Sequence, residues 1–258
     1  MWLVLSLMAA AVLGYFGGLL RLWSHGAHWP LSRLVWWVAG WVCVGATLVG
    51  PLAERAHHDF AVHMVAHVLA GMLAPLLLVR SAPVTLVLRV LPPRGARRLG
   101  RVLTTRPVAV LTHPVTAALI NVGGLYLLYR TGLFGATLTD PLAHLAVSLH
   151  VVAAGYLFIF AILGGPDPAP HRASAAWRAG ALVAAVAAHN ILAKLVHAHP
   201  PPGVPADQAE AAGQVMYYGG APVEFVLIFL VCRSWLLPRR RRASPAVRQH
   251  QGVSATRA

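Results

Sequence analysis

Five histidines, His63, His67, His144, His150 and His189, interrupt long apolar runs of this chain. His63 and His67 are four residues apart and share one face of a helix. His144 and His150 are six apart, about 120° around a helix of 3.6 residues per turn, so both cannot point equally at one centre. His150 is assigned to a deeper layer and His144 to an upper one. Imidazole without thiolate suits copper, zinc or iron. Two imidazoles on facing helices also suit haem iron, and a chain of them suits proton transfer. Position 64 is Met, so the His63–His67 pair lacks the glutamate of the H-E-x-x-H zinc-peptidase motif. Met64 itself reads as core. Asp59 and Glu224 are candidate partners for imidazole N–H groups. Cys43 and Cys232 are isolated in apolar runs and read as free, buried thiols.

These side chains need helices to hold them. Of 258 residues, 58% are hydrophobic and only 11% charged, against about a quarter charged in a soluble domain. Apolar runs at 2–22, 34–52, 60–79, 108–129 (interrupted by Pro114), 142–163, 177–197 and 221–237 each approach the roughly 20 residues of a bilayer crossing. The expectation is an all-α membrane protein, a seven-transmembrane helix bundle over 1–237. The short segment at 84–91 is expected to lie at the membrane interface. Gly14 and Gly18 offer a close approach for another helix. A basic, disordered tail is expected over 238–258.

Net charge is +14, and Lys194 is the sole lysine among 21 cations. With the N-terminus outside and the C-terminus cytoplasmic, every cation except Arg55, Arg130 and Lys194 falls on the cytoplasmic side. Every acidic residue except Asp167 falls outside. The basic charge therefore reads as a topology signal that also contacts anionic lipid, and not as a nucleic-acid footprint. In this orientation His67, His150 and His189 lie about 10–12 Å below the outer helix ends, with His63 and His144 nearer the surface. One such histidine commonly makes a helix–helix hydrogen bond of roughly 0.6–2 kcal/mol. Five at convergent depth favour a shared site.

From His63 onward the chain resembles a known family. His63-Met64-Val65-Ala66-His67, then Ala74-Pro75-Leu76-Leu77 and Ala82-Pro83, resemble the signature of the caa3-type CtaG cytochrome c oxidase assembly factors. The resemblance continues through His113-Pro114, His144 and His150, Ala154-Gly155-Tyr156-Leu157-Phe158, Asp167-Pro168, His189, Asp207-Gln208 and Gly219-Gly220. It covers residues 34–237, nearest the actinobacterial branch. Ile159 and Tyr217-Tyr218 depart from the aromatic residues the family carries there.

The resemblance implies a multi-pass protein of the bacterial cell membrane, non-enzymatic, that supports assembly of a haem-copper oxidase and works alongside the oxidase subunits. Its expected ligand is copper, at His63, His67, His144, His150 and His189. Two other readings stay open on the residues alone. One is a bis-His haem b protein carrying electrons; the other is a His-based proton or ion transporter.

Overall fold

The computed structural model describes residues 2–236, so Leu237 and the tail expected over 238–258 lie outside the described residues. The described secondary structure is helical throughout. In chain order the helices are α1 (Trp2–Ser24), α2 (Leu31–Leu48), α3 (Pro51–Ala56) and α4 (Phe60–His67). A π-helical turn, Val68–Leu73, leads into α5 (Ala74–Arg80). Then come α6 (Pro83–Val90), α7 (Pro93–Leu103), α8 (Arg106–Leu111), α9 (Pro114–Arg130) and α10 (Leu133–Thr139). The last helices among the described residues are α11 (Pro141–Leu163), α12 (Ala175–Ala198) and α13 (Ala206–Leu236).

Six of these stretches are long and apolar enough to cross a membrane: Leu5–Ser24, Leu31–Leu48, Phe60–Val90, Pro141–Leu163, Ala175–Ala198 and Ala206–Leu236. A seventh exists only if α9 and α10 are taken together across their 75° bend. The single run expected at 108–129 is broken once within its bounds, at Pro114. Pro114 has no N–H to donate and pushes His113 into an extended conformation (φ −70°, ψ 131°), which separates α8 from α9. The 75° bend at Thr131–Gly132 lies beyond that run, where α9 passes into α10. The last helix is also longer than the expected 221–237, beginning at Ala206 and taking in Asp207 and Glu210.

Polar side chains start several of these helices. Asp59 accepts from Ala61 N (2.8 Å) and Val62 N (3.1 Å), and Asp140 accepts from Leu142 N (2.8 Å). Asp59 is thus an N-cap and not an imidazole partner. Asp167, in the loop after α11, is buried and caps α6, accepting from Val84 N (3.2 Å), Thr85 N (2.6 Å) and Thr85 Oγ1 (2.6 Å). The segment at 84–91 is held from across the fold, since Leu86 of α6 also packs over Gly18 of α1. Gly14 faces open space, so only half of the expected small-residue pair is used.

In lipid, helices gain little from apolar burial against one another, and close backbone approach takes over. Gly40 of α2 lies beneath Leu78 of α5, and Gly213 of α13 against His197 of α12. Gly155 of α11 meets the Gly71 carbonyl of the π-helical turn. Three buried clusters result. One joins Leu76, Val79, Phe158, Ile162, Leu182 and Leu227. A second joins Phe60, Met64, Leu125, Tyr129, Leu192 and Met216, which places Met64 in the core as expected. The third, around Tyr15, Trp29, Trp37 and Leu86, attaches α1 and α2, with Tyr15 donating to Ser81 O at 2.7 Å. Cys43 and Cys232 are free; Cys43 is half-buried and Cys232 exposed, so neither is the fully buried thiol expected.

Candidate functional site

His67 ends α4 and His189 lies within α12, and the fold brings them together. Their rings stack with centroids 6.0 Å apart and planes 28° apart. Both residues are buried, at 6% and 5% exposure. Buried polar atoms normally find partners. Here both ring nitrogens of His67 and Nε2 of His189 are enclosed with no hydrogen-bond partner among the described residues.

The other nitrogen of His189 is engaged. Nδ1–H donates to Glu224 Oε1 on α13 at 2.9 Å, and Asn190 Nδ2 donates to Glu224 Oε2 at 3.2 Å. This bond assigns the tautomer, leaving the Nε2 lone pair free and aimed away from the carboxylate. A carboxylate behind an imidazole also fixes the orientation of the ring. Glu224 thus performs the role expected of it, though from the interior of α13 and not from its end.

Backbone geometry explains why the pair fits. A methyl group on Gly71 would lie 3.2 Å from His67 Cε1, and one on Gly220 would lie 3.1 Å from His189 Cε1. Glycine on each side leaves room for the rings. A small cavity of about 40 Å³ adjoins both, bordered also by Met72, Asn121, Phe158 and Glu224.

His63 and His144 occupy a different layer. Both border a larger, mostly apolar cavity of about 650 Å³ between α2, α4 and α11, together with His57, Trp41 and Tyr156. His67 borders this cavity as well as the small one and so lies between them. His57 and His144 approach with ring centroids 5.2 Å apart, and His63 Nε2 is 3.1 Å from the Tyr129 hydroxyl.

His150 stands apart. It is exposed, and its imidazole lies over Gly124 of α9. The face of α11 turned to the π-helical turn carries Val151, which meets Gly71, and Gly155. His150 is one position, about 100°, off that face. The fold therefore brings His67 and His189 together without His150. Among the described residues, no group of three or more His, Cys, Asp or Glu side chains is placed to hold a metal ion.

Sequence reasoning did not single out Asn190 as a partner of Glu224, Tyr129 as a partner of His63, or Asp167 as a cap. Polar residues inside apolar runs were the available signal for the first two. Asp167 stood out as the one acidic residue on the cytoplasmic side and in the Asp167-Pro168 motif, but neither signal pointed to a cap.

Long apolar helices enclosing a buried imidazole pair and a carboxylate define a multi-pass membrane protein whose interior polar chemistry centres on histidine. The chain belongs to the family of cytochrome c oxidase caa3 assembly factors, Caa3_CtaG, which it matches over residues 13–237. It is similar to an uncharacterized protein of Mycobacterium bovis and to one of Mycobacterium tuberculosis, each 37% identical over 201 residues. A third relative, from Mycobacterium leprae, is 34% identical over 199 residues. Each match covers 73% of this chain but only 30% of the relative, so the chain spans less than a third of those proteins. No solved structure matches it. The apolar helices and the family together place the protein in a bacterial membrane.

Proposed function

We propose that the protein assists assembly of a haem-copper cytochrome c oxidase by carrying copper, as cargo, on the buried His67–His189 pair. Family membership supports the assembly role, with the oxidase subunits as partners and no covalent catalysis by this chain. The observation that carries the copper reading is the set of three enclosed imidazole nitrogens without partners, beside a carboxylate that orients one ring. Unpaired buried nitrogens are costly in an idle structure, and lone pairs held this way suit a borderline or soft metal ion.

His57, His63 and His144 along the larger cavity form an outer relay of exchangeable ligands towards His67. The arginine distribution favours an outside N-terminus, which puts this relay on the outer side of the membrane. His150 serves no ligand role in this scheme. Stacked rings 6.0 Å apart beside a cavity of about 40 Å³ leave no room for a porphyrin between them, which disfavours bis-His haem at this pair.

The test is metal analysis of detergent-purified protein after copper loading, comparing wild type with the His67→Ala/His189→Ala double variant. Wild type is expected to retain copper and the variant to lose it. Equal copper in both would refute this site.

A further inference from the structure

We propose that the cargo is Cu(I) and that the thioether of Met72 is its third ligand, beside His67 and His189. This rests on the copper reading of that pair and specifies the ion's oxidation state and the ligand that selects it.

The π-helical turn carries the argument. Five residues along a regular α-helix would place Met72 about 140° around from His67. Between Val68 and Leu73 the helix widens, with Ala74 N–H donating to Leu69 O in the i→i+5 pattern. That widening returns residue i+5 towards the face of residue i. Met72 and His67 consequently border the same small cavity.

Met72 also converges on His189. A methyl group on Gly220 would meet Met72 Sδ and Cε at 3.3 Å and His189 Cε1 at 3.1 Å, so sulfur and ring edge lie over one glycine. Met64, the other methionine near the histidines in sequence, is sealed in a separate cluster with Phe60 and Leu192.

Ligand chemistry then selects the ion. Soft thioether and imidazole suit Cu(I). Structural zinc takes four ligands and Cu(II) a tetragonal N,O set. The only buried carboxylate at the pair, Glu224, is already committed to His189 and Asn190. The free imidazole nitrogens are also shut off from water, so a hydrated ion has no place to keep its water ligands. Two imidazoles and a thioether form a dry, three-coordinate set that matches Cu(I).

The experiment loads the full-length, detergent-purified protein with Cu(I) under anaerobic conditions. X-ray absorption is recorded at the copper edge, and affinity is measured by competition with a chromogenic Cu(I) chelator. Wild type is expected to show a sulfur scatterer beside nitrogen, and Met72→Leu to lose the sulfur and weaken Cu(I) at least tenfold. Met64→Leu should change neither. Copper bound with nitrogen alone, or unaltered affinity in Met72→Leu, overturns the proposal while leaving the histidine site standing. Copper binding that survives loss of both histidines overturns the underlying site instead. Should Met72→Leu fail to fold, the wild-type spectrum decides alone, since a missing sulfur scatterer refutes the assignment.

Discussion

Replacing Glu224 tests the centre of the site more sharply than removing a histidine. Its carboxylate accepts one bond from His189 Nδ1 at 2.9 Å and one from Asn190 Nδ2 at 3.2 Å, and the residue is 6% exposed. In Glu224→Gln the side-chain shape survives, but one oxygen becomes an NH₂ that faces a donor. The Gln oxygen stays on His189 Nδ1–H, and Asn190 must turn its amide over to accept from the new NH₂; an amide that does not turn leaves an unpaired buried donor, at about 1–3 kcal/mol. Within membranes the net loss runs lower, about 0.6 kcal/mol on average. The variant should therefore fold, with a modest fall in thermal midpoint in detergent. Its effect on copper should be larger. Loss of a carboxylate behind a ligating histidine typically weakens metal binding 10- to 100-fold, because the negative charge behind the ring no longer supports the bound cation. Competition against a chelator, run on Glu224→Gln and on Asn190→Ala, separates the two contributions. Asn190→Ala breaks only the flanking bond and should change copper affinity by less than threefold. If Glu224→Gln binds copper within twofold of wild type, the carboxylate charge does not support a ligand and the reasoning from the His189–Glu224 pair is refuted.

Other substitutions probe the frame and the outer layer. Asp167→Ala removes the acceptor for Val84 N, Thr85 N and Thr85 Oγ1, so it should destabilise by at least about 2 kcal/mol, read as a lower melting temperature; an unchanged melting curve would refute the cap. Gly155→Ala would press a methyl group into the Gly71 carbonyl and to 2.9 Å from Pro75 Cγ, an overpacking cost of about 1–3 kcal/mol or more. Gly14→Ala and Gly180→Ala, which face open space, should stay within about 0.5 kcal/mol of wild type in the same melts. His150→Ala should leave the copper content of purified protein unchanged, and a loss equal to that of His67→Ala would show that His150 does reach the metal.

Much of the frame was legible in the residues. Run length and sparse charge revealed the membrane helices, because only about 20 consecutive apolar residues can span a bilayer with their backbone satisfied. The placement of His67 and His189 in the interior, the pairing of Glu224 with an imidazole and the core position of Met64 followed from polarity and spacing. What failed were inferences that assumed an unbroken 3.6-residue period. Pro114 divides one expected span, the bend at Thr131–Gly132 follows it, and α13 runs fifteen residues further upstream than its most apolar part.

The orientation of His150 and the role of Met72 belong to the tertiary structure alone. Residue types determined which segments enter the membrane and which imidazoles travel with them, since both depend on transfer energies that each residue carries wherever it sits. Facing depends on rotation about the helix axis, and that is settled by neighbours. Gly155 lets α11 close on the Gly71 carbonyl, which turns Val151 inward and leaves His150 over Gly124. The wide turn from Val68 to Leu73 rotates everything beyond it and brings Met72 to the cavity beside His67. No single residue in that turn announces the extra width, because it arises from packing among several helices at once.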